Sequence, residues 1–303
     1  MSSTESVLPL AGIRVVEYTG GILSAYCGLL FADMGATVTS IEAPDGAPLR
    51  SAAPVVAGRS LLFEHLISGK SRRTVDVLSV SGGAELEHLL AMADVFIEDT
   101  APDGPFEGDL HPEVIQARHP HLVVISLSQF GRTGPYAGWR GNELTSQAIG
   151  GLAYVTGKPE MPPLKLAGNP LQFAAAIAGT LGGLAAVFDR RRTDQGRWVD
   201  VSVMEFATGN QELGTLYTWM GLVRKRAFPT MAPAYEYSLY PCRDGWVDLG
   251  TTLGDYLPTL AKLIDRPELV EDARFQDSFG IFMNHEPLAE MIRANFAGRD
   301  RDE

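Results

Sequence analysis

Short runs of β-branched residues alternate with helical patterns along the first 128 residues, and this alternation restricts the fold more than any other feature. Ile13–Glu17 and Ala36–Ile41 predict strands, and Ser24–Met34 between them predicts a helix that ends at Gly35. The alternation continues with strands at Thr74–Val77, Val95–Glu98 and Leu122–Leu127 and helices at Gly83–Met92 and Pro112–His119. Strand–helix–strand units at this spacing predict an α/β fold with a Rossmann-like parallel-sheet layer.

The pattern changes after residue 141. Helical stretches at about 169–191 and 203–221 flank a predicted strand at Trp198–Ser202. From residue 226 onward, short alternations rich in Pro, Tyr and Gly predict antiparallel strands, followed by a helix at Tyr256–Ile264. We therefore expect a large Rossmann-like domain over residues 1–225 and a smaller α+β domain over 226–303, and we expect the second domain to be incomplete at its C-terminus.

The charge balance excludes several classes of partner. The chain has 25 Lys and Arg against 37 Asp and Glu, a net charge of −12, so we expect neither nucleic acid nor an anionic membrane as partner. The two cysteines, Cys27 and Cys242, fit a reducing cytosol, and no secretory signal is evident, so we expect a cytoplasmic protein. The apolar run Phe173–Phe188 is short and rich in Ala and Gly, which favours a buried helix over a membrane span.

Several common functional motifs are incomplete. Gly69-Lys70-Ser71 has the end of a phosphate-binding P-loop, but Glu64 stands where its first glycine is required. Gly20-Gly21 does not complete the fingerprint of a dinucleotide-binding loop. The six histidines show no metal-ligand spacing, and no serine lies in a Gly-x-Ser-x-Gly elbow. These gaps disfavour nucleotide hydrolysis, nicotinamide or flavin chemistry, a metal centre and acyl hydrolysis.

A glycine-rich turn, Ser128–Tyr136, directly follows the predicted strand 122–127. Parallel sheets bind their ligands at the carboxyl ends of their strands, so this turn is a candidate binding loop. A plain connecting loop would have the same composition, and the turn alone leaves both interpretations open.

Many short segments together resemble the class III CoA-transferases, the CaiB/BaiF or formyl-CoA transferase-like family. They follow the family's order over nearly the whole chain: Leu10–Glu17, Ala32–Ala36, Ile41–Glu42, Gly69–Lys70, Thr74–Asp76, Ala93–Val95 with Glu98, Ser128–Tyr136, Gln147–Ala148, Gly150–Gly151, Thr193, Gly196, Val199–Ser202, Asp244–Val247 and Arg266–Leu269. The resemblance implies an interlocked dimer, with CoA or acyl-CoA bound at the Rossmann-like layer as a substrate and no covalently bound cofactor. Family members are longer than this chain.

The resemblance also implies which residues form the CoA site. We expect the loop after the first strand and the family's Gly-Lys turn to line it, together with the end of the fourth strand and the turn 128–136. The residues concerned are Thr19, Gly20, Lys70, Asp99, Gly131 and Tyr136. This sequence departs from the family pattern where Asp99-Thr100 replaces an Asn-Phe pair and where Ala43 replaces an Arg, which puts adenine or phosphate contacts in doubt.

The most consequential departure is Asn169. The transferases that this sequence resembles have a nucleophilic Asp here, and that chemistry needs a carboxylate to attack the acyl-CoA thioester. An amide is a poor nucleophile. Asn169-Pro170-x-Gln172 instead predicts a helix start, with Asn as N-cap, Pro in the first position and Gln in the third.

The α-methylacyl-CoA racemases of the same superfamily offer a less favoured alternative. Their proton-transferring His and Asp correspond to Asn142 and Asn169, and an amide cannot accept a proton near neutral pH. Glu143 is the nearest carboxylate in sequence and a weak catalytic candidate. We expect it to be a solvated acid at a helix N-terminus.

Three hypotheses follow. The leading one is a CoA-transferase-family protein that binds CoA or acyl-CoA and is associated with moving CoA between carboxylic acids, as a homodimer or as a heterodimer with a related subunit. A second is a non-catalytic subunit of a hetero-oligomeric CoA-transferase whose other subunit supplies the Asp. A third is that Asn169 is an engineered replacement for Asp. The sequence identifies neither the carboxylic acid nor the active subunit.

Overall fold

A computed structural model describes residues 8–157, 161–209, 219, 221, 236–251 and 253–303. The chain divides into two compact units. The first comprises Met1–Ala153 and Lys165–Leu213, and the second comprises Tyr154–Leu164 and Gly214–Glu303. The domain boundary predicted at residues 225–226 lies outside the described residues.

The first unit is built on a six-stranded parallel sheet. Its strands are β1 (Arg14–Tyr18), β2 (Thr37–Glu42), β5 (Ser71–Thr74), β6 (Val95–Glu98), β7 (Val123–Ser128) and β8 (Trp198–Ser202), in the order β5-β2-β1-β6-β7-β8. A separate hairpin pairs β3 (Val55–Val56) with β4 (Arg59–Ser60). In the sheet, β2 and β5 lie on one side of β1, and β6, β7 and β8 lie on the other, which is the doubly wound Rossmann order. The predicted fold class is confirmed, and the order of strands reverses between β1 and β6.

Helices lie between the strands of this sheet and after its last strand. They are α1 (Ile22–Asp33), α2 (Leu61–Leu66), α3 (Val80–Met92), α4 (Pro112–Arg118), α5 (Glu143–Ile149), α7 (Pro170–Thr193) and α8 (Val203–Gly209), while α6 (Leu152–Val155) lies where the chain passes from the first unit to the second. Short 3₁₀ turns occupy Pro48–Ser51 and Gly108–Leu110. Of the helix predicted over 203–221, the structure describes α8 and the single residues 219 and 221, and the remaining positions lie outside the described residues.

The sheet has a buried core on each face because side chains alternate along each strand. On one face, Val15, Ile97 and Ile125 pack with residues of α1 and α7. On the other, Val16, Phe96 and Val124 pack with residues of α3 and α4. The strands β6 and β7 are buried at every position, as expected for central strands of a sheet covered on both sides.

The long helix α7 lies against the sheet through small residues. A Cβ added at Gly179 would lie 2.7 Å from Leu127 Cδ2, and one at Gly183 would lie 2.3 Å from Ile125 Cδ1, so glycine is required for this close approach. By length and composition alone, α7 is also the one helix among the described residues that is apolar enough to cross a membrane, although its apolar window is 44% buried.

One predicted strand is shifted. We expected Thr74–Val77, but the strand is β5, Ser71–Thr74, which pairs in register with β2 from Thr39↔Ser71 to Glu42↔Thr74. The polar sequence SRRT forms an exposed edge strand. Val75 and Val77, which suggested the strand, instead enter the core after it ends.

The second unit contains an antiparallel hairpin and a helical cluster. Its elements are β9 (Glu236–Cys242), β10 (Gly245–Thr251), α9 (Leu253–Leu263), α10 (Ser278–Met283) and α11 (His285–Phe296), with 3₁₀ turns at Pro267–Val270 and Ala273–Phe275. Tyr240, Leu260, Ile281 and Ile292 are buried in its core. The antiparallel strands predicted after residue 226 are confirmed at β9 and β10.

Candidate functional site

A cavity of about 220 Å³ opens in the first unit beyond the carboxyl ends of β6 and β7, beside the N-terminus of α1. This is the edge of a doubly wound sheet at which ligands bind, next to the point where strand order reverses. The lining residues come from five chain segments: Gly21, Leu23, Asp99, Thr100, Ala101, Pro102, Ser128, Gln129, Phe130, Gly131, Ala137, Trp139, Arg140, Gly141 and Gln172.

Asp99 is the carboxylate of the inner wall. It directly follows β6, and its Oδ1 and Oδ2 accept hydrogen bonds from the backbone N–H groups of Gly20 and Ser24, each at 3.0 Å. A Cβ at Gly20 would lie 2.4 Å from Asp99 Oδ1, so a side chain there would displace the carboxylate. Burial is the main cause that raises the pKa of Asp99 to about 7, and the hydrogen bond from Ser24 opposes that rise.

A buried ion pair holds the turn after β7. Arg132 Nη2 donates to Glu98 Oε2 at 2.6 Å and to Thr100 Oγ1 at 2.9 Å, and the side chains of Arg132 and Glu98 are almost completely buried. The backbone N–H of Arg132 also donates to Asp200 Oδ2 at 2.8 Å. These contacts fix the turn 128–131 on the cavity wall, where Gly131 has a φ of +82° that favours glycine.

The outer part of the cavity is aromatic. The ring centroids of Phe130 and Trp139 lie 6.0 Å apart. The Tyr136 ring packs on Trp139 with its centroid 4.6 Å away, but Tyr136 does not itself line the cavity. Arg140 is exposed at the same rim and forms an ion pair with Asp103. Deeper in the cavity wall, Ser128 Oγ is buried and makes no hydrogen bond to any described residue. The wall thus combines apolar surface with unused hydrogen-bonding capacity, as small-molecule sites do.

The start of α7 departs from the predicted capping. Asn169 is at the N-cap position and Pro170 is first in the helix, as expected, but the Asn169 side chain makes no capping hydrogen bond. Glu143 takes that role from α5: Oε1 accepts from Leu171 N and Oε2 from Gln172 N, both at 3.1 Å. Gln147 Nε2 donates to the same carboxylate at 2.8 Å. The expectation that Glu143 is solvated is therefore wrong, because it is 3% exposed.

Lys70 is placed differently from the expected nucleotide contact. Its side chain is fully buried, and Nζ donates to Glu17 Oε2 at 2.5 Å and to the carbonyl of Ala25 at 2.6 Å. Thr19 belongs to the same buried network, since its hydroxyl contacts Glu17 and Ser40. Burial raises the pKa of Glu17 even though Lys70 lowers it. Lys70 has an internal structural partner, and its assignment to a CoA site stays a prediction.

The structure brings together only part of the predicted set. Asp99 and Gly131 line the cavity, and Gly20 donates to Asp99. Thr19, Lys70, Tyr136, Glu143 and Asn169 do not line it, although Gln172 from the first turn of α7 does. The sequence analysis missed Trp139, Arg140 and Gln172 as lining residues. The position of Gln172 three residues after Asn169 was the available signal.

No group of three or more His, Cys, Asp or Glu residues within the described ranges is arranged to hold a metal ion. The arrangement offers hydrogen-bond acceptors and donors, an aromatic rim and a nearby helix N-terminus. The fold is that of an α/β protein, and this cavity at the sheet's switch point is its candidate site for part of a small organic ligand.

Comparison with known proteins gives the family. The chain belongs to CoA-transferase family III, whose model matches residues 10–303. It is 33% identical over 282 residues to a succinyl-CoA–D-citramalate CoA-transferase of Chloroflexus aurantiacus, covering 91% of this chain and 69% of that protein. It is 29% identical over 276 residues to the alpha subunit of a succinyl-CoA–L-malate CoA-transferase of the same organism, covering 89% of this chain and 64% of that protein. The chain thus spans about two thirds of these relatives' lengths.

Solved structures agree with the family and the fold. A CaiB/BaiF family protein from Brucella suis superposes with a TM-score of 0.78 at 27% identity, covering 97% of this chain and 79% of that one. Homologues of this chain are therefore CoA-transferases that act on acyl-CoA and acids, and the resemblance drawn from the sequence is confirmed.

Proposed function

We propose that this chain binds CoA or an acyl-CoA at the switch-point cavity and serves the transfer of CoA between carboxylic acids, with Asn169 preventing transfer by the chain alone. Membership of family III supports the ligand and reaction class. The observation that carries the placement is the cavity, because it lies at the ligand-binding edge of the sheet and includes Gln172 of the first turn of α7.

The reaction requires a carboxylate beside the thioester. A carboxylate oxygen attacks the thioester carbonyl carbon, and CoA leaves as thiolate from the resulting mixed anhydride. The thiolate then attacks the enzyme's own carbonyl, which releases the first acid and leaves CoA on the enzyme. An acceptor carboxylate attacks that thioester, and the displaced thiolate attacks the new acyl carbonyl, which yields a second acyl-CoA and restores the enzyme carboxylate.

The residues around position 169 can hold substrate but lack the attacking atom. Asn169 has an amide where the carboxylate is needed. The N–H groups of Leu171 and Gln172 already donate to Glu143, so the Glu143 carboxylate is held by these bonds and is a poor substitute nucleophile. Lys165 Nζ, which donates to the carbonyls of Leu166 and Gly168, places a cation next to the turn that precedes Asn169. That cation favours a carboxylate at position 169.

The decisive experiment compares the chain with Asn169→Asp. The purified proteins are incubated with acyl-CoA donors and carboxylic acids, and hydroxylamine and borohydride trap an enzyme-bound anhydride or thioester. We expect CoA binding by both proteins, but transfer and a trapped adduct only with Asn169→Asp. Asn284→Asp is the matched control, since Asn284 is also an N-cap residue without a capping side-chain bond.

Transfer by the unaltered chain, with an adduct at another residue, would contradict this proposal.

A second candidate function is a non-catalytic subunit whose partner supplies the Asp, and the alpha subunit among the relatives favours it. An Asn169→Asp protein that binds CoA but remains inactive until a second family chain is added would support that candidate.

A further inference from the structure

The ionisable groups around the switch-point cavity set the charge that a bound acyl chain would meet there. Its volume of about 220 Å³ accommodates part of a CoA thioester and not the whole molecule, because sites for drug-sized ligands are about 300–1,000 Å³. Gln172 links the cavity to the start of α7, where the proposed transfer takes place. Under the proposed function, a short acyl chain is the part that fits here.

Among the described residues that line this cavity, none is an unpaired cation. Arg140 is the one cationic residue among those that line the cavity, and it forms an ion pair with Asp103. Arg132, behind the wall, donates to Glu98 and Glu107. A carboxylate at the far end of an acyl chain would therefore find no unpaired positive partner on this wall.

Asp99 adds negative charge to the same wall. Its two oxygens accept the N–H groups of Gly20 and Ser24 at the N-terminus of α1. That helix terminus would otherwise attract an anionic ligand, and the protein's own carboxylate already occupies it. A second carboxylate placed beside Asp99 would meet like charge at low dielectric constant.

The groups that face Asp99 do not offset its charge. Glu98 on β6 and Glu17 on β1 both raise its pKa, and the Cys27 thiol on α1 interacts with Asp99 while its own pKa is about 12. Lys70 is bound to Glu17, and the Arg140–Asp103 pair at the rim has no net charge. With a pKa of about 7, Asp99 is anionic above neutral pH and mostly neutral below it.

The apolar part of the wall suits an uncharged acyl chain. Leu23, Ala101, Pro102 and Phe130 supply apolar surface, and Trp139 covers the rim. Burial of aliphatic carbon against this surface is favourable, at about 25 cal/mol per Å². These side chains provide nothing to solvate a terminal carboxylate, and the unpartnered Ser128 hydroxyl on the same wall offers a hydrogen bond but no positive charge.

We propose that the cavity selects an uncharged acyl group, the acyl chain of a monocarboxylic acid, and that Asp99 is the residue that disfavours a dicarboxylic one. This inference rests on the proposed function. It sets the chain apart from the two relatives described above, whose names include succinyl-CoA, the thioester of a dicarboxylic acid.

The test compares three ligands by calorimetry with the full chain: free CoA, butyryl-CoA and succinyl-CoA, the last two differing by a terminal carboxylate. At about pH 8 we expect butyryl-CoA to bind about tenfold more tightly than succinyl-CoA. At about pH 6 the preference should fall to about threefold or less, because Asp99 is then mostly protonated. The pH comparison needs no substitution and does not depend on the folding of a variant.

Asp99→Asn should remove the preference at both pH values, and the exposed Asp109→Asn, which removes the same charge away from the cavity, should retain it. Binding of free CoA distinguishes a failure of the proposed function from a failure of the acyl selectivity. Absence of binding by all three ligands would overturn the proposed function and this inference with it. Binding of CoA with equal or tighter binding of succinyl-CoA at about pH 8, or a preference unchanged in Asp99→Asn, would overturn the inference alone.

Discussion

The Glu143 carboxylate fixes the start of α7 by accepting two backbone N–H groups of its first turn. We predict that Glu143→Gln destabilises the protein by about 1–2 kcal/mol, because one amide oxygen cannot replace two charge-assisted acceptors in a buried site. Chemical denaturation monitored by circular dichroism measures the change. Glu113→Gln, an exposed acid in the first turn of α4, is the control and should change stability by less than about 0.5 kcal/mol. An equal effect of both substitutions would contradict the capping role.

The sequence predicted where α7 begins but not what caps it. Asn169 and Pro170 are local signals, and both occupy their expected positions. The capping carboxylate comes from Glu143, which is 26 residues earlier in the chain and reaches α7 only after the elements have packed. The internal placement of Lys70 has the same cause, since its partner Glu17 lies 53 residues away. Single-residue roles that depend on such tertiary contacts cannot be derived from spacing.

At the scale of elements, the packing of α1 depends on a close approach at Gly28. A Cβ at this position would lie 1.7 Å from Glu17 Oε2 and 3.1 Å from Lys70 Nζ. We predict that Gly28→Ala destabilises the fold by about 1–3 kcal/mol, because the buried ion pair must separate or α1 must shift. Thermal unfolding gives the measurement.

A helical glycine with space around it provides the control for Gly28. A Cβ at Gly83 in α3 would lie no closer than 3.6 Å, to the carbonyl oxygen of Val77. Gly83→Ala should leave stability unchanged or raise it by up to about 1 kcal/mol, since alanine favours a helix. A melting temperature for Gly28→Ala equal to or above that of the unaltered protein would rule out the proposed constraint.

The elements themselves were largely predictable. Parallel strands buried on both faces give continuous β-branched runs, and β1, β2, β6, β7 and β8 were each predicted within one or two residues. The strand β5 was misplaced because SRRT is polar and is held by pairing to β2, which leaves no hydrophobic signal. The cavity was anticipated only in part. The turn 128–136 was recognisable by its place after a strand, whereas Trp139 and Arg140 reach the site through loop folding.

At the scale of the whole molecule, the net charge of −12 governs how a polyanionic ligand approaches. Long-range repulsion lowers the local concentration of CoA near the protein, and salt screens this repulsion over a Debye length of about 10 Å at 0.1 M. The cations around the cavity are paired, so they offer little compensating attraction.

We predict that the association rate constant for CoA rises about threefold between about 0.02 and 0.2 M salt. Stopped-flow fluorescence of the chain measures it. Pantetheine, which has the same arm without the phosphates, should associate at a rate that salt barely changes. A rate for CoA that falls with salt would show instead that a local group of cations guides the phosphates, and the exposed arginines of β5, Arg72 and Arg73, would then be the first residues to replace.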